Sequence, residues 1–168
     1  SSPALGDFDN DGMLDLFFTA LASYGDNSSL FRNTGSPGNP QFSEVGEGIP
    51  GNLGGYKVSW ADWDNDGDLD LATDGRYFRN DLNNGNSWLK VALRAPGVEG
   101  VNGAAIGAIA RVTVGNLTVT RHVETGTGTG NQNDMTMHFG LGSHTGPVDV
   151  EITWPDGTTK TVQTEANQ

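Results

Sequence analysis

The stretch DFDNDGMLDL at residues 7–16 returns 55 positions later as DWDNDGDLDL at residues 62–71. Each copy carries Asp at its positions 1, 3, 5 and 9 and Gly at position 6. The first supplies Asp7, Asp9, Asp11 and Asp15 around Gly12, the second Asp62, Asp64, Asp66 and Asp70 around Gly67. Side chains at those positions of a short loop converge on one point, and the glycine permits the sharp turn that brings them there. The backbone carbonyl at position 7, from Met13 or Asp68, adds another oxygen. The product is an all-oxygen cage. Calcium takes about six to eight oxygens in flexible geometry, whereas magnesium demands a rigid octahedron and zinc prefers His or Cys. The spacing therefore predicts two calcium sites, with Asn10 and Asn65 serving the turn.

Two other readings compete. An EF-hand needs a Glu at position 12 between two helices. That position is Phe18 in the first loop and Thr73 in the second, and the flanks LDLFFTA and LDLATD read as strands. A merely solvated acidic turn does not explain two copies with the same spacing and the same glycine. Four carboxylates held a few ångströms apart repel one another, so the ion is expected to be part of the fold. At a dissociation constant tenfold below ambient calcium, linkage contributes about 1.4 kcal/mol per site.

The rest of the composition fits short strands joined by tight turns. Glycine is 25 of 168 residues, and no window shows helical periodicity. All-β architecture is expected. The net charge of −12 argues against nucleic acid and against anionic membrane surfaces. Nine of the 21 acidic residues sit in the two loops, so this charge is local. With no cysteine, a disulfide framework, a zinc–thiolate site and a Cys nucleophile are excluded. No apolar run is long enough for a membrane-spanning helix. The abrupt opening, SSPALGDFD, reads as a processed product or a piece of a longer chain.

Residues 1–86 form an internal repeat. After each acidic loop comes an aromatic-Arg-Asn triplet, Phe31-Arg32-Asn33 and Phe78-Arg79-Asn80, then a Gly-rich turn. A repeat of some 50 residues built of short strands indicates propeller-type blades. Residues 87–168 are poorer in acids and richer in Thr and Val. Strands are expected at 87–95, 104–114, 117–124, 132–139, 147–154 and 158–163, with tight turns at Gly115-Asn116 and in WPDGTT (154–159). Alternation puts Leu117, Val119, Arg121 and Val123 on one face, as in a β-sandwich or a partly open barrel.

GDFDNDGMLDL and ADWDNDGDLDL resemble the FG-GAP/VCBS repeats of integrin-α-like β-propellers, as does LFRNTG…QFSEV. NSWLKVAL (86–93), GAAIGAIARVTV (103–114), HFGLG (138–142) and VEITWPDG (150–157) resemble the ASPIC/UnbV domain found after such repeats. The resemblance implies an extracellular or cell-surface, calcium-stabilised, non-enzymatic module in adhesion or surface architecture. It names no ligand. Propellers close with about four to eight blades, and only two repeats are present. Either further blades belong to a longer chain, or neighbouring copies cover the exposed edges in a head-to-tail fibre. Residues 1–5 or 160–168 are candidates for a strand donated to a neighbour. The alternative is a fragment of a larger propeller that binds a glycan or a surface protein.

Among other residues, His122, His138 and His144 read as structural, and no nucleophile motif frames a Ser-His-Asp set. Trp60, Trp88 and Trp154 read as core or interface residues rather than sugar platforms. Trp63 and Phe8 are expected to pack beneath their loops. Asn27 and Asn116 lie in N-glycosylation patterns. TGTGTG (125–130) reads as a mobile polar connection.

Overall fold

Short runs of β-branched and aromatic residues, broken by glycine and asparagine turns, form strands and no helix among residues 2–19, 28–45, 55–73, 75–127 and 130–168, the residues described in the computed structural model. The fold is all-β, as expected. The chain divides into two compact units: Ser1–Asp9, Met13–Leu82 and Gly126–Asp134 make one, and Asn10–Gly12, Asn83–Thr125 and Met135–Gln168 the other.

In the first unit, β1 (Pro3–Gly6), β2 (Asp15–Phe18), β3 (Ser29–Asn33) and β4 (Phe42–Glu44) make a four-stranded antiparallel meander in the order β1-β2-β3-β4. β5 (Ser59–Ala61), β6 (Asp70–Thr73) and β7 (Arg76–Phe78) repeat it as a three-stranded sheet. Each acidic loop therefore joins the first two strands of a blade-like sheet. The register places Gly6 opposite Asp15 and Ala61 opposite Asp70, so both loops leave their sheets at the same point. Ala4, Phe17, Leu30, Val58, Trp60, Leu69 and Leu71 form the core of this unit, with Phe8 and Phe78 packed against it. Phe17 meets Trp60 edge-on at 6.5 Å, and burying a ring such as Phe17 is worth about 3 kcal/mol. Gly6 lets the Trp60 ring approach this closely, because a Cβ would stand 2.8 Å from it and force a shift.

One edge of β5 is capped by side chains. Asn131 accepts the Val58 N–H through Oδ1 at 3.0 Å, Asn133 accepts the Trp60 N–H in the same way at 3.0 Å, and the Asp134 N–H donates to the Trp60 carbonyl. This clasp is why the strand expected at 132–139 starts later, at Met137: residues 131–134 serve β5 instead.

The second unit contains β8 (Ser87–Val91), β9 (Ile109–Val114), β10 (Leu117–His122), β11 (Met137–Gly142), β12 (Val148–Thr153) and β13 (Thr159–Thr164). They form a four-stranded sheet, β10-β9-β12-β13, and a β11-β8 pair. Ala110, Val112, Val119, Val148, Val150 and Ile152 of the larger sheet share one core with Leu89, Met137, Phe139 and Leu141 of the pair, the sandwich-like arrangement expected from the alternation. The strand expected from residue 104 begins only at Ile109, because Ala105 (φ 57°) and Gly107 (φ 91°) turn the chain first. β8 ends at Val91 rather than residue 95. Both proposed donor segments are committed within the chain: β1 pairs with β2, and β13 pairs with β12. The Asn167 N–H and Gln168 carbonyl then bond to β8.

Candidate metal centres

Both acidic loops are built alike. The fourth residue, Asn10 or Asn65, takes a left-handed conformation (φ 59° and 63°), and the sixth, Gly12 or Gly67, follows at φ 91° and 96°. Asparagine tolerates that region and glycine is unstrained in it. In the second loop the Gly67 N–H donates to Asp62 Oδ2 at 3.1 Å and the Asp68 N–H to Asp66 Oδ1 at 2.9 Å.

Three carboxylates per loop come together. Oxygens of Asp7, Asp9 and Asp15 lie within 4.8 Å of one another, as do those of Asp62, Asp64 and Asp70. Asp11 and Asp66 stay outside these groups; Asp66 instead holds its own turn. Met13 and Asp68 occupy position 7, partly buried. In the first loop Asp7, Asp9 and Asp15 are 1%, 2% and 0% exposed. The second is more open: Asp62 and Asp70 are buried, while the Asp64 side chain is 30% exposed. Burial raises the Asp70 carboxyl above the usual carboxylate range, with Asp64 and Asp66 adding to the effect, against two backbone hydrogen bonds that lower it. Three carboxylates buried this close are costly unless a cation joins them. The donor set fits a hard divalent ion, and no His stands among it.

The ninth-position aspartate is braced identically in both loops. Asp15 accepts the Phe8 N–H at 3.1 Å and the Asn33 N–H at 2.8 Å; Asp70 accepts the Trp63 N–H at 3.1 Å and the Asn80 N–H at 2.8 Å. Each oxygen keeps a lone pair for a metal. The asparagines do more. Asn33 donates to the Leu14 carbonyl and accepts the Gly35 and Gln41 N–H groups. Asn80 donates to the Leu69 and Phe8 carbonyls. The preceding arginines reach the third-position aspartates: Arg32 Nε meets Asp9 at 2.5 Å, and Arg79 lies 3.8 Å from Asp64 and 2.7 Å from Asp81. Reading the spacing of acids alone misses these four residues. The repeated aromatic-Arg-Asn triplet was the signal for them.

Residues 2–73 match the FG-GAP-like repeat family, and residues 98–168 match the ASPIC and UnbV family. The chain is an FG-GAP-like repeat region followed by an ASPIC/UnbV domain. Cartilage acidic protein 1 of Homo sapiens is 31% identical over 163 residues, covering 90% of this chain and 24% of that protein. The proteins of the same name from Mus musculus and Xenopus tropicalis are 31% and 29% identical, each with 25% of its length covered. The chain thus spans about a quarter of the length of these relatives.

Elsewhere, Trp60 is core, whereas Trp63 does not pack beneath its loop. It is 40% exposed and meets the 70%-exposed Tyr77 edge-on at 5.1 Å. Trp88 is half-buried beneath Lys90, and Trp154 packs on the core of the ASPIC/UnbV domain. His138 is buried in β11, His122 is exposed and His144 half-buried. Asn116 is exposed at the β9–β10 turn. Asn27 lies outside the described residues, as does part of the 125–130 run.

Proposed function

We propose that the FG-GAP-like region holds two calcium ions, one per loop, and that the chain is an extracellular, calcium-stabilised, non-enzymatic module of adhesion or surface assembly. The clustering of three carboxylates in each loop, buried throughout in the first, carries this reading. Asp7, Asp9 and Asp15 would hold one ion, and Asp62, Asp64 and Asp70 the other. Met13 and Asp68 would supply carbonyls, and Asp11 and Asp66 would join directly or through water. The ion supplies charge compensation, and the loops then fix the entry into β2 and β6. Similarity to cartilage acidic protein 1 supports an extracellular setting.

Self-association, including a head-to-tail fibre, is the favoured form of assembly. β4 and β13 are exposed along nearly their whole length, with Phe42 43% and Val162 39% exposed. Such edges are templates for pairing. A second reading, a ligand-binding fragment of a larger propeller, is favoured by the exposed Trp63–Tyr77 pair. Electron microscopy in millimolar calcium and after chelation tests assembly: filaments that fray on chelation support it. Compact single particles in both conditions contradict it, and a glycan or protein array then becomes the next experiment.

A further inference from the structure

We propose that Arg32 and Arg79 are tethered cations that hold the third-position carboxylate of their own loops in the absence of metal and compete with an incoming ion for it. The proposal rests on the calcium reading above. Its basis is geometric and occurs twice. In each blade-like sheet the arginine follows an aromatic residue and precedes the asparagine that braces the ninth-position aspartate. Each guanidinium is thereby carried toward the third-position aspartate of its own loop, to 2.5 Å for Arg32 and 3.8 Å for Arg79. Arg32 sits on β3, and its Nε reaches Asp9, a carboxylate otherwise grouped with Asp7 and Asp15 in a buried setting. A fixed positive charge there offsets part of the repulsion among the carboxylates and keeps the loop near its folded shape.

The same charge opposes a second cation. A divalent ion entering the first group meets a guanidinium 2.5 Å from one of its ligands. It must share Asp9 with Arg32 or displace it. Arg32 is 44% exposed and on the surface side of the pair, so the guanidinium has solvent to move into. Losing the arginine should therefore have two opposite effects: a less stable metal-free protein and a tighter metal site. A residue that merely props up the loop would lower both.

The second loop provides an internal comparison. Arg79 stands 3.8 Å from Asp64 but 2.7 Å from Asp81, and its side chain is 57% exposed. Asp81 draws it away from the metal group, so its competition is weaker.

The test is calcium titration by calorimetry after chelation, with melting curves in chelator, on the full chain and on R32Q, R32K and R79Q. R32Q is expected to bind calcium about three- to tenfold more tightly at one site while melting lower in chelator. R32K, which keeps the charge, should stay near the parent in both readouts. R79Q should tighten the second site, by less than R32Q tightens the first. Unchanged or weaker affinity in R32Q overturns the proposal and leaves the arginine a structural brace. Should R32Q fail to fold, R79Q at the exposed pair decides: no tightening there overturns it equally. If the parent chain binds no calcium, the reading of the loops falls and this inference falls with it; normal parental binding with an unaltered R32Q and R79Q removes the inference alone.

Discussion

Asn33 shows how one side chain sets a loop. Its amide donates to the Leu14 carbonyl and accepts from Gly35 and Gln41, while its backbone N–H braces Asp15. Asn33→Ala keeps the brace but strands the other groups, and it is expected to cost about 2 kcal/mol, measurable by urea unfolding. Asp70 gives a pH prediction. Its carboxyl is raised above the ordinary 3.8, chiefly by burial, so the metal-free folded state binds a proton more tightly than the unfolded chain. Asp70 therefore adds stability to the metal-free protein as pH falls through the window just above 3.8. In calcium the sign reverses, because protons compete with the ion for the same oxygens. Melting temperature followed against pH in chelator, for the parent and Asp70→Asn, should show an acid-side gain that the variant lacks; in millimolar calcium the parent should lose stability on acidification.

At the scale of elements, two contacts decide how β1 and β5 are held. Gly6 lets the Trp60 ring approach its backbone, and Gly6→Ala places a methyl 2.8 Å from that ring. Overpacking of this kind costs about 1–3 kcal/mol, so a lowered unfolding midpoint is expected. The β5 edge relies on Asn131, whose Oδ1 accepts the buried Val58 N–H. Asn131→Ala leaves that donor without its acceptor, and a loss of about 1–3 kcal/mol is expected in the same assay. Neither contact was legible in the sequence. Asn131 and Val58 are 73 residues apart, and nothing local marks an asparagine as a side-chain substitute for a strand. The 117–124, 147–154 and 158–163 strands were legible to within about two residues, because alternation and turn chemistry act locally. The expected start at 104 failed where Ala105 took a left-handed conformation that alanine rarely adopts.

For the whole molecule, the acidic loops were the most legible feature, since four aspartates and a glycine at fixed spacing determine where the chain must turn. Their support was less so. Arg32 reaches Asp9 across 23 positions, and the ninth aspartate acts as a brace as well as a candidate ligand. Trp63 lies between two acids of its loop yet turns outward to Tyr77, because a loop residue's direction depends on tertiary neighbours that spacing does not encode. The two loops also differ, with Asp9 buried and Asp64 exposed, although their sequences are nearly the same. Each loop is expected to hold one calcium ion, on which the fold depends. Equilibrium dialysis followed by elemental analysis measures this directly, on the parent chain and on Asp9→Ala and Asp64→Ala. Two calcium ions per parent chain, and one per chain in each folded variant, is the predicted result. No bound calcium in the parent, or two ions retained in both variants, would contradict it.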